Sequence, residues 1–247
     1  MDFRAVLLDE TRAFGELIRT ADPAEPVPTC PGWMFKQLFR HVGRGNRWAA
    51  QIIAERLSGP PDPRQVPNGK PPDDMDAAIE WLHASARLVL RAAEAVGPGR
   101  RVWTFVGPRP PGWWGRRRVH EATVHRADAA LALGADYSLP AELAADAISE
   151  FIELMAVQAK MQSPPLEHGQ TLHLHATEPA LGCVGEWTIT SARYGLDWSH
   201  DHDKGDVALR GPATDVLLAL TRRRTAADLG LEVYGDTAVW DRWLAGT

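Results

Sequence analysis

The sequence predicts an α+β protein in which a bundle of long helices precedes a small α/β domain. Up to residue 163, apolar residues recur at the spacing of amphipathic helices. A break at Ser163-Pro164-Pro165 ends this pattern, and short runs with strand-like alternation follow it. We therefore expect a helical domain over residues 1–163 and an α/β domain over residues 164–247.

The helical part is expected to contain five helices, separated by breaks rich in proline and glycine. The apolar spacing places them at 3–20, 34–57, 73–96, 115–133 and 140–160. Asp73 and Asp74 mark the start of the third helix, since acids favour helix N-termini, and Gly134 marks the end of the fourth. Long helices joined by loops indicate a four-helix bundle, in which sites form between facing helices.

The second part alternates polar and apolar residues in the manner of half-buried strands. The runs are TLHLHAT, GEWTITSAR, YGLDWSH, DVALRG and LEVYG. A helix beginning at Pro212 separates the last two runs, and a short helix ends at Leu244. This order of elements predicts a small α/β domain.

Composition sets limits on the class of protein. The chain of 247 residues has 45% hydrophobic residues and a formal net charge of -5, which does not favour nucleic acid or an anionic membrane as a partner. No apolar run approaches the roughly 20 residues that span a bilayer, and the first residues lack the order of a signal peptide. The two cysteines have no paired spacing. We expect a cytoplasmic protein.

One predicted helix carries the residues with the clearest chemical meaning. Glu121 and His125 are four positions apart and project from one helical face, which Asp128 extends by a turn. A carboxylate and an imidazole at this spacing can bind one metal ion, and His41, on the apolar face of the second helix, is the best third ligand. The spacing alone leaves two other interpretations open, a solvated Glu–His pair and a hydrogen-bonded core histidine.

Two motifs in the helical part occur together: PVPTCPGWMFKQLFRHVG at 26–43 and RRRVHEATVHRADA at 116–129. They resemble the motifs of the mycothiol-dependent maleylpyruvate isomerase family, a branch of the DinB-like metalloenzymes. The resemblance implies that His41, Glu121 and His125 are the metal ligands. GPATDVLLALTRRR and LEVYGDTAVWDRWL resemble the family's companion domain, which is related in shape to sterol-carrier folds. The implied architecture is a DinB-like bundle followed by a sterol-carrier-like domain.

The same resemblance implies a divalent metal ion, with zinc as the expected one, and mycothiol as the thiol. Three protein ligands leave one position open, as catalysis requires, and a metal there lowers the pKa of a bound thiol. In an isomerase the thiolate adds to a cis double bond and leaves after rotation, whereas a transferase stops after addition or displacement. The expected partners are a small-molecule substrate and this thiol, and the expected assembly is a monomer or a homodimer. The arginine-rich composition is typical of GC-rich genomes and is compatible with an actinobacterial host that makes mycothiol.

Further residues are candidates for binding or catalysis. The candidates for binding the thiol or an anionic substrate are Arg44, Arg47, Arg118 and Trp114. Core packing is the alternative role for Trp114. The candidates for catalysis are Asp128 and Arg223. Arg223 is the closest match to a functional arginine that the resemblance places in the companion domain. A solvated position on a helix end is an equal alternative for Arg223.

Two other classes of function remain open at this point. A non-catalytic module would bind a small ligand or a regulatory partner, and a metal hydrolase would use water, with Asp128 as the nearest base. The remaining histidine-rich stretches are interpreted without a metal: His200 and His202 in an expected hairpin turn, and His173 and His175 on one strand face. Cys30 is interpreted as a packed residue.

Overall fold

The computed structural model describes residues 1–247, which divide into two compact units, Met1–Tyr137 and Ser138–Thr247. The first unit is helical and the second contains a five-stranded sheet with helices, so the predicted α+β class is confirmed. The division falls earlier than the expected boundary at residue 163. The fifth helix accounts for this difference, because it packs on the sheet unit rather than in the bundle.

The first unit is a bundle of four helices. They are α1 (Phe3–Ile18), α2 (Phe35–Glu55), α3 (Met75–Val96) and α4 (Gly112–Leu133). The main packed pairs are α2 with α3 and α1 with α4. Apolar residues from all four helices meet in the core, among them Phe14, Leu38, Leu82 and Ala129. Burial of these faces, rather than helix propensity, supplies most of the stability of such a bundle.

The helix ends follow the predicted capping chemistry. The carboxylate of Asp74 accepts a hydrogen bond from the backbone N–H of Ala77 and caps α3. Gly134 ends α4 with a φ of 64°, a left-handed conformation that glycine adopts at little cost. Asp2 caps α1 in the same way as Asp74 caps α3. Local sequence therefore sets where these helices begin and end.

The contact between α2 and α3 depends on a glycine. Gly43 lies directly under the ring of Trp81, and a Cβ added there would come within 2.1 Å of a ring carbon. The Trp81 indole N–H donates to the carbonyl of Asn68 at 2.8 Å, so the ring is held from its other end as well. With the ring in this position, α2 and α3 approach this closely because residue 43 has no side chain.

The segment between α1 and α2 is a compact loop rather than a flexible connection. A bridge between Pro26 and Met34 closes it, and the backbone N–H of Val27 donates to the carbonyl of Trp33 at 2.8 Å. Gly32 turns the chain with a φ of 81°, a region that favours glycine. The proline-rich motif of the sequence therefore forms a rigid loop, and its residues 29–33 lie beside α4.

The second unit starts with a long helix and continues with a mixed sheet. Its elements are α5 (Ala141–Gln158), β1 (Thr171–Ala176), β2 (Glu186–Ala192), β3 (Gly195–Ser199), β4 (Val207–Gly211), α6 (Ala213–Leu220), β5 (Glu232–Gly235) and α7 (Thr237–Ala245). The strand order is β3-β2-β1-β4-β5, and only the β1–β4 pair is parallel. The three helices cover one face of the sheet.

Alternation along the strands separates an apolar face of this sheet from a polar one. Leu172, Leu174 and Trp187 are fully buried and belong to the core that the helices cover. Their neighbours in the strands, including His173 and Glu186, point to the opposite face, because successive side chains in a strand alternate. The sheet therefore presents a row of polar side chains away from its helices.

None of the helices is both long enough and apolar enough to cross a lipid bilayer.

We expect Gly43→Ala to lower the free energy of unfolding by about 2 kcal/mol, because the added methyl group has to displace the Trp81 ring. Gly112→Ala is the matched control: Gly112 is the exposed first residue of α4, and its Cβ would meet no atom within 4 Å. Urea denaturation of the two variants measures the difference. Equal unfolding midpoints would contradict the close α2–α3 contact.

Candidate metal centre

The three predicted ligands come together inside the first unit. His41 lies on α2, and Glu121 and His125 lie one turn apart on α4. The Glu121 Oε2 atom lies 3.2 Å from Nε2 of His41 and 3.5 Å from Nε2 of His125. The donor atoms of the three residues all lie within 4.8 Å of one another. Two helices far apart in sequence thus supply one cluster.

The geometry of the cluster fits a shared metal ion. Nitrogen and oxygen ligands about 2.05 Å from a tetrahedral zinc ion lie about 3.3 Å from each other. The separations of 3.2 and 3.5 Å around Glu121 Oε2 match this value. Two imidazoles and one carboxylate are also a donor set that such ions accept. Side-chain exposure falls from 39% at His41 to 16% at Glu121 and 11% at His125, so the cluster opens on the His41 side.

Asp128 holds His125 in the orientation that this cluster requires. Its Oδ2 atom lies 2.8 Å from Nδ1 of His125, which leaves Nε2 directed at Glu121. Two residues of the proline-rich loop also donate to Asp128, the Thr29 hydroxyl at 2.6 Å and the Cys30 thiol at 3.3 Å. The carboxylate is fully buried. A carboxylate behind a histidine is the usual arrangement for orienting a metal ligand.

These contacts bear on the sequence interpretations of Asp128 and Cys30. Asp128 was expected as a catalytic base, but its buried carboxylate meets His125, Thr29 and Cys30 and has no exposed surface for a substrate. These contacts favour a role for Asp128 in positioning His125. Cys30 is partly buried, as a packed residue should be, yet its thiol also donates to a charged group.

The electrostatics of the cluster follow from the same contacts. Burial alone lowers the pKa of His125, but hydrogen bonds with Asp128, Cys30 and Glu121 outweigh it and raise the pKa to about 10. Burial lowers the pKa of His41, although Glu121 opposes this effect. Burial would raise the pKa of Glu121, but Arg117 and the two histidines hold it well below its usual range. Glu121 is therefore an anion at neutral pH.

Two arginines of α4 lie close to the carboxylate of Glu121. Arg117 forms an ion pair with Oε1 of Glu121, which leaves Oε2 for the histidines. Arg118 lies 3.6 Å from Oε2 and is buried, and its guanidinium donates to the side chain of Asn46 at 2.8 Å. A Cβ at Gly45 would come within 2.7 Å of this guanidinium. Arg118 was expected to bind the thiol, but these contacts favour a role in positioning Glu121.

Trp33 forms one wall of the cluster. Its ring lies 4.9 Å from the ring of His41 and 6.2 Å from that of His125, measured between centroids. The compact loop between Val27 and Trp33 fixes this position. The indole limits the directions from which a ligand can reach the two histidines.

Arg44 and Arg47 connect α2 with neighbouring segments. Arg44 Nε donates to the carbonyl of Gly69 at 3.0 Å, and Arg47 donates to the carbonyl of Trp81 at 3.3 Å and lies over its ring. Burial lowers the pKa of both guanidinium groups, which remain charged at neutral pH. Both were expected to bind the thiol, and both are engaged in contacts that hold α2.

Trp114 lies inside an aromatic cluster and is 1% exposed. Its indole N–H donates to the carbonyl of Trp103 at 2.9 Å, and its ring packs against Trp48, Trp103, Phe105 and Trp113. A ring buried in this way has no surface left for a bound thiol. The geometry supports the core-packing alternative for this residue.

Arg223 lies in the second unit, in the turn that follows α6. Its guanidinium donates to the carbonyl of Thr221 at 2.7 Å, and its backbone N–H donates to the carbonyl of Leu218. Its side chain is half-buried. These contacts fix the start of the side chain and do not by themselves assign a catalytic role.

Sequence reasoning missed the roles of Thr29, Cys30 and Trp33. Their signal was the proline-rich motif itself, since a rigid loop directly before the helix that carries His41 has to lie near the ligands. Because this loop and Asp128 are far apart in sequence, the hydrogen bonds between them could not be predicted from local patterns.

The fold and this cluster define a class: two-unit α+β proteins with a His/Glu/His cluster in an N-terminal four-helix bundle. The family model described as the mycothiol maleylpyruvate isomerase N-terminal domain matches residues 5–130. The model of the C-terminal domain of the same family matches residues 142–242, so α5 falls within the C-terminal match. The chain belongs to the mycothiol-dependent maleylpyruvate isomerase family, which is a family of enzymes.

Solved structures show the same fold. A crystal structure of the mycothiol-dependent maleylpyruvate isomerase is 16% identical, with a TM-score of 0.56. A histidine-to-alanine mutant of that enzyme is 17% identical, with a TM-score of 0.57. Each match covers 88% of this chain and 86% of the other. No curated protein matches this chain in sequence.

We expect Asp128→Asn to lower the pKa of His125 from about 10, because the hydrogen bond to a carboxylate is lost. A pKa raised on folding stabilises the protein below the unfolded value of about 6.5, and this contribution disappears as the pH rises towards 10. The variant should therefore lose more stability at pH 6 than at pH 10. Histidine NMR titration and urea denaturation of metal-free protein test both effects. Asp136→Asn, at an exposed position, is the control, and an unchanged His125 pKa would refute the assignment.

Proposed function

We propose that this protein is a metal-dependent enzyme that uses a thiol, mycothiol, as a nucleophile in a cis–trans isomerase or S-transferase reaction. The observation that carries the proposal is the convergence of His41, Glu121 and His125 within 4.8 Å, in a bundle that belongs to the isomerase family. Zinc is the metal we propose, since the donor set and its spacing suit it. Iron, nickel and manganese accept the same donors.

The metal, when bound, supplies a Lewis acid that lowers the pKa of the thiol. The residues around it supply orientation and charge. Asp128 keeps the Nε2 atom of His125 directed at the cluster, and Arg117 keeps Oε2 of Glu121 free for the same purpose. The guanidinium groups of Arg117 and Arg118 add positive charge, which favours a thiolate and an anionic substrate over their protonated forms.

The proposed isomerisation needs no reactant besides the substrate and the thiolate, which is regenerated at the end. The thiolate sulfur forms a bond to one carbon of a cis double bond, and the π electrons move onto the conjugated carbonyl group. Rotation about the resulting single bond follows. Return of the electrons restores the double bond in the trans form and expels the thiolate. A transferase would keep the carbon–sulfur bond.

The half-exposed side of His41 is the proposed entrance for both molecules. Arg223 stays a candidate functional arginine of the second unit, and the match between residues 142–242 and the family's C-terminal domain supports this candidacy. The hydrolase alternative loses its nearest base, because Asp128 is fully buried and occupied by three donors.

His41→Ala is expected to remove one equivalent of metal relative to the wild-type protein and to lower the rate of the thiol-dependent reaction by roughly a thousandfold, because several kcal/mol of charge stabilisation are lost. Metal analysis of purified protein and single-substrate kinetics measure the two effects. His168→Ala removes an exposed histidine of the second unit and should change neither. If His41→Ala retains as much metal as the control, His41 is not a ligand.

Turnover is expected to require the thiol. With zinc-loaded protein, maleylpyruvate should isomerise in the presence of mycothiol and remain unchanged without it, as followed by chromatography of the cis and trans forms. An electrophilic thiol trap tests the transferase reaction in parallel. Turnover of an ester or amide without thiol would favour a hydrolase, and saturable binding of the thiol without any turnover would favour a binding module.

A further inference from the structure

A second cluster of metal-binding side chains lies on the polar face of the sheet in the second unit. His175 pairs with Glu186 across β1 and β2, and His173 pairs with Thr188, so His173 and Glu186 are diagonal neighbours on one face. Nε2 of His173 lies 3.0 Å from Oε2 of Glu186. The opposite face of the same strands is packed in the core. His173 and Glu186 are therefore not part of the hydrophobic core of the unit.

Strand order explains how a third residue reaches the pair. The sequence suggested a hairpin turn after β3, but β3 lies at one edge of the sheet and β4 lies beyond β2 and β1. Ser199, at the end of β3, is level with Thr188, and Val207, at the start of β4, is level with Leu172. Residues 200–206 therefore have to cross about 14 Å of sheet near the level of His173.

Residues 200–206, here called the crossing segment, are held against the sheet near both ends. The Thr188 hydroxyl donates to the carbonyl of Asp201 at 2.8 Å, and Nδ1 of His200 donates to the carbonyl of Glu186. Gly205 passes so close that a Cβ there would lie 2.9 Å from the backbone nitrogen of His173. As a result His173 is only 6% exposed, although it lies on the face away from the core.

The crossing segment brings His202 into contact with the pair of His173 and Glu186. Nδ1 of His202 contacts Oε2 of Glu186, the same oxygen that His173 contacts, and the three donor atoms lie within 4.8 Å of one another. The ring of His175 lies 6.0 Å from that of His202. One carboxylate oxygen between two imidazole nitrogens is a donor set that a divalent ion of the zinc class accepts.

We propose that His173, Glu186 and His202 bind a second divalent ion of the zinc class, separate from the ion at His41. The ion joins the crossing segment to the sheet. His173 and His202 also line a cleft of about 730 Å³, together with the Asp203–Asp206 segment and Tyr234.

Zinc stoichiometry of the full-length chain tests the proposal. The His41→Ala variant, dialysed against micromolar zinc and analysed by mass spectrometry, should retain one equivalent. Adding His202→Ala or Glu186→Gln should remove that equivalent, whereas adding His168→Ala should not. His202 is 73% exposed at its side chain, so its replacement leaves the packing intact, and circular dichroism checks this. Zinc binding in the double variants equal to that of the His168 control overturns the proposal.

Limited proteolysis gives a second readout that does not depend on the first site. Lys204 is exposed within the crossing segment and is a trypsin site. Zinc should slow cleavage after Lys204 roughly tenfold or more in the wild-type protein and in His168→Ala, and should have no effect in His202→Ala. Cleavage that is equally fast with and without zinc in the wild-type protein shows a hydrogen-bonded cluster without a metal. Failure of the His41 site alone would leave both results unchanged.

Discussion

The imidazole of His125 lies between two carboxylates, with Nδ1 on Asp128 and Nε2 towards Glu121. The rest of the candidate centre depends on this arrangement. Asp128 is fully buried, and the loop residues Thr29 and Cys30 donate hydrogen bonds to its carboxylate, as a buried polar group requires. The loop in turn places Trp33 over His41 and His125. One buried anion thus connects the proline-rich loop with the helix that bears two of the ligands.

Periodicity and capping residues predicted most of the fold. The helices over α1 to α5 and all five strands lie where the apolar spacing placed them, because those patterns report directly on one buried face. The membership of α5 could not be predicted in this way. An apolar face on a helix indicates that the face is buried. It does not indicate whether the helix packs against the bundle or against a sheet.

The candidate ligands could be predicted, whereas the residues that hold them could not. Glu121 and His125 share a helical face by local geometry, and His41 came from an apolar stripe together with a resemblance to a family motif. Arg118 and Asp128 lie on the same helix, but their roles follow from Asn46, Thr29 and Cys30, which are distant in sequence. Likewise the meeting of His202 with His173 depends on strand order, which alternation does not encode.

The two glycines of α2 have a consequence for transferring this centre to another protein. Gly43 accepts the ring of Trp81 on one side of the helix, and Gly45 accepts the guanidinium of Arg118 on another. With contacts this close on two sides, α2 can neither rotate about its axis nor shift along it without a collision, and His41 shares that fixed register. A designer who grafted only the three ligands onto a new bundle would therefore lose the alignment of His41. Besides Glu121 and His125, such a graft would need the His-Val-Gly-Arg-Gly segment and the two large side chains that its glycines admit.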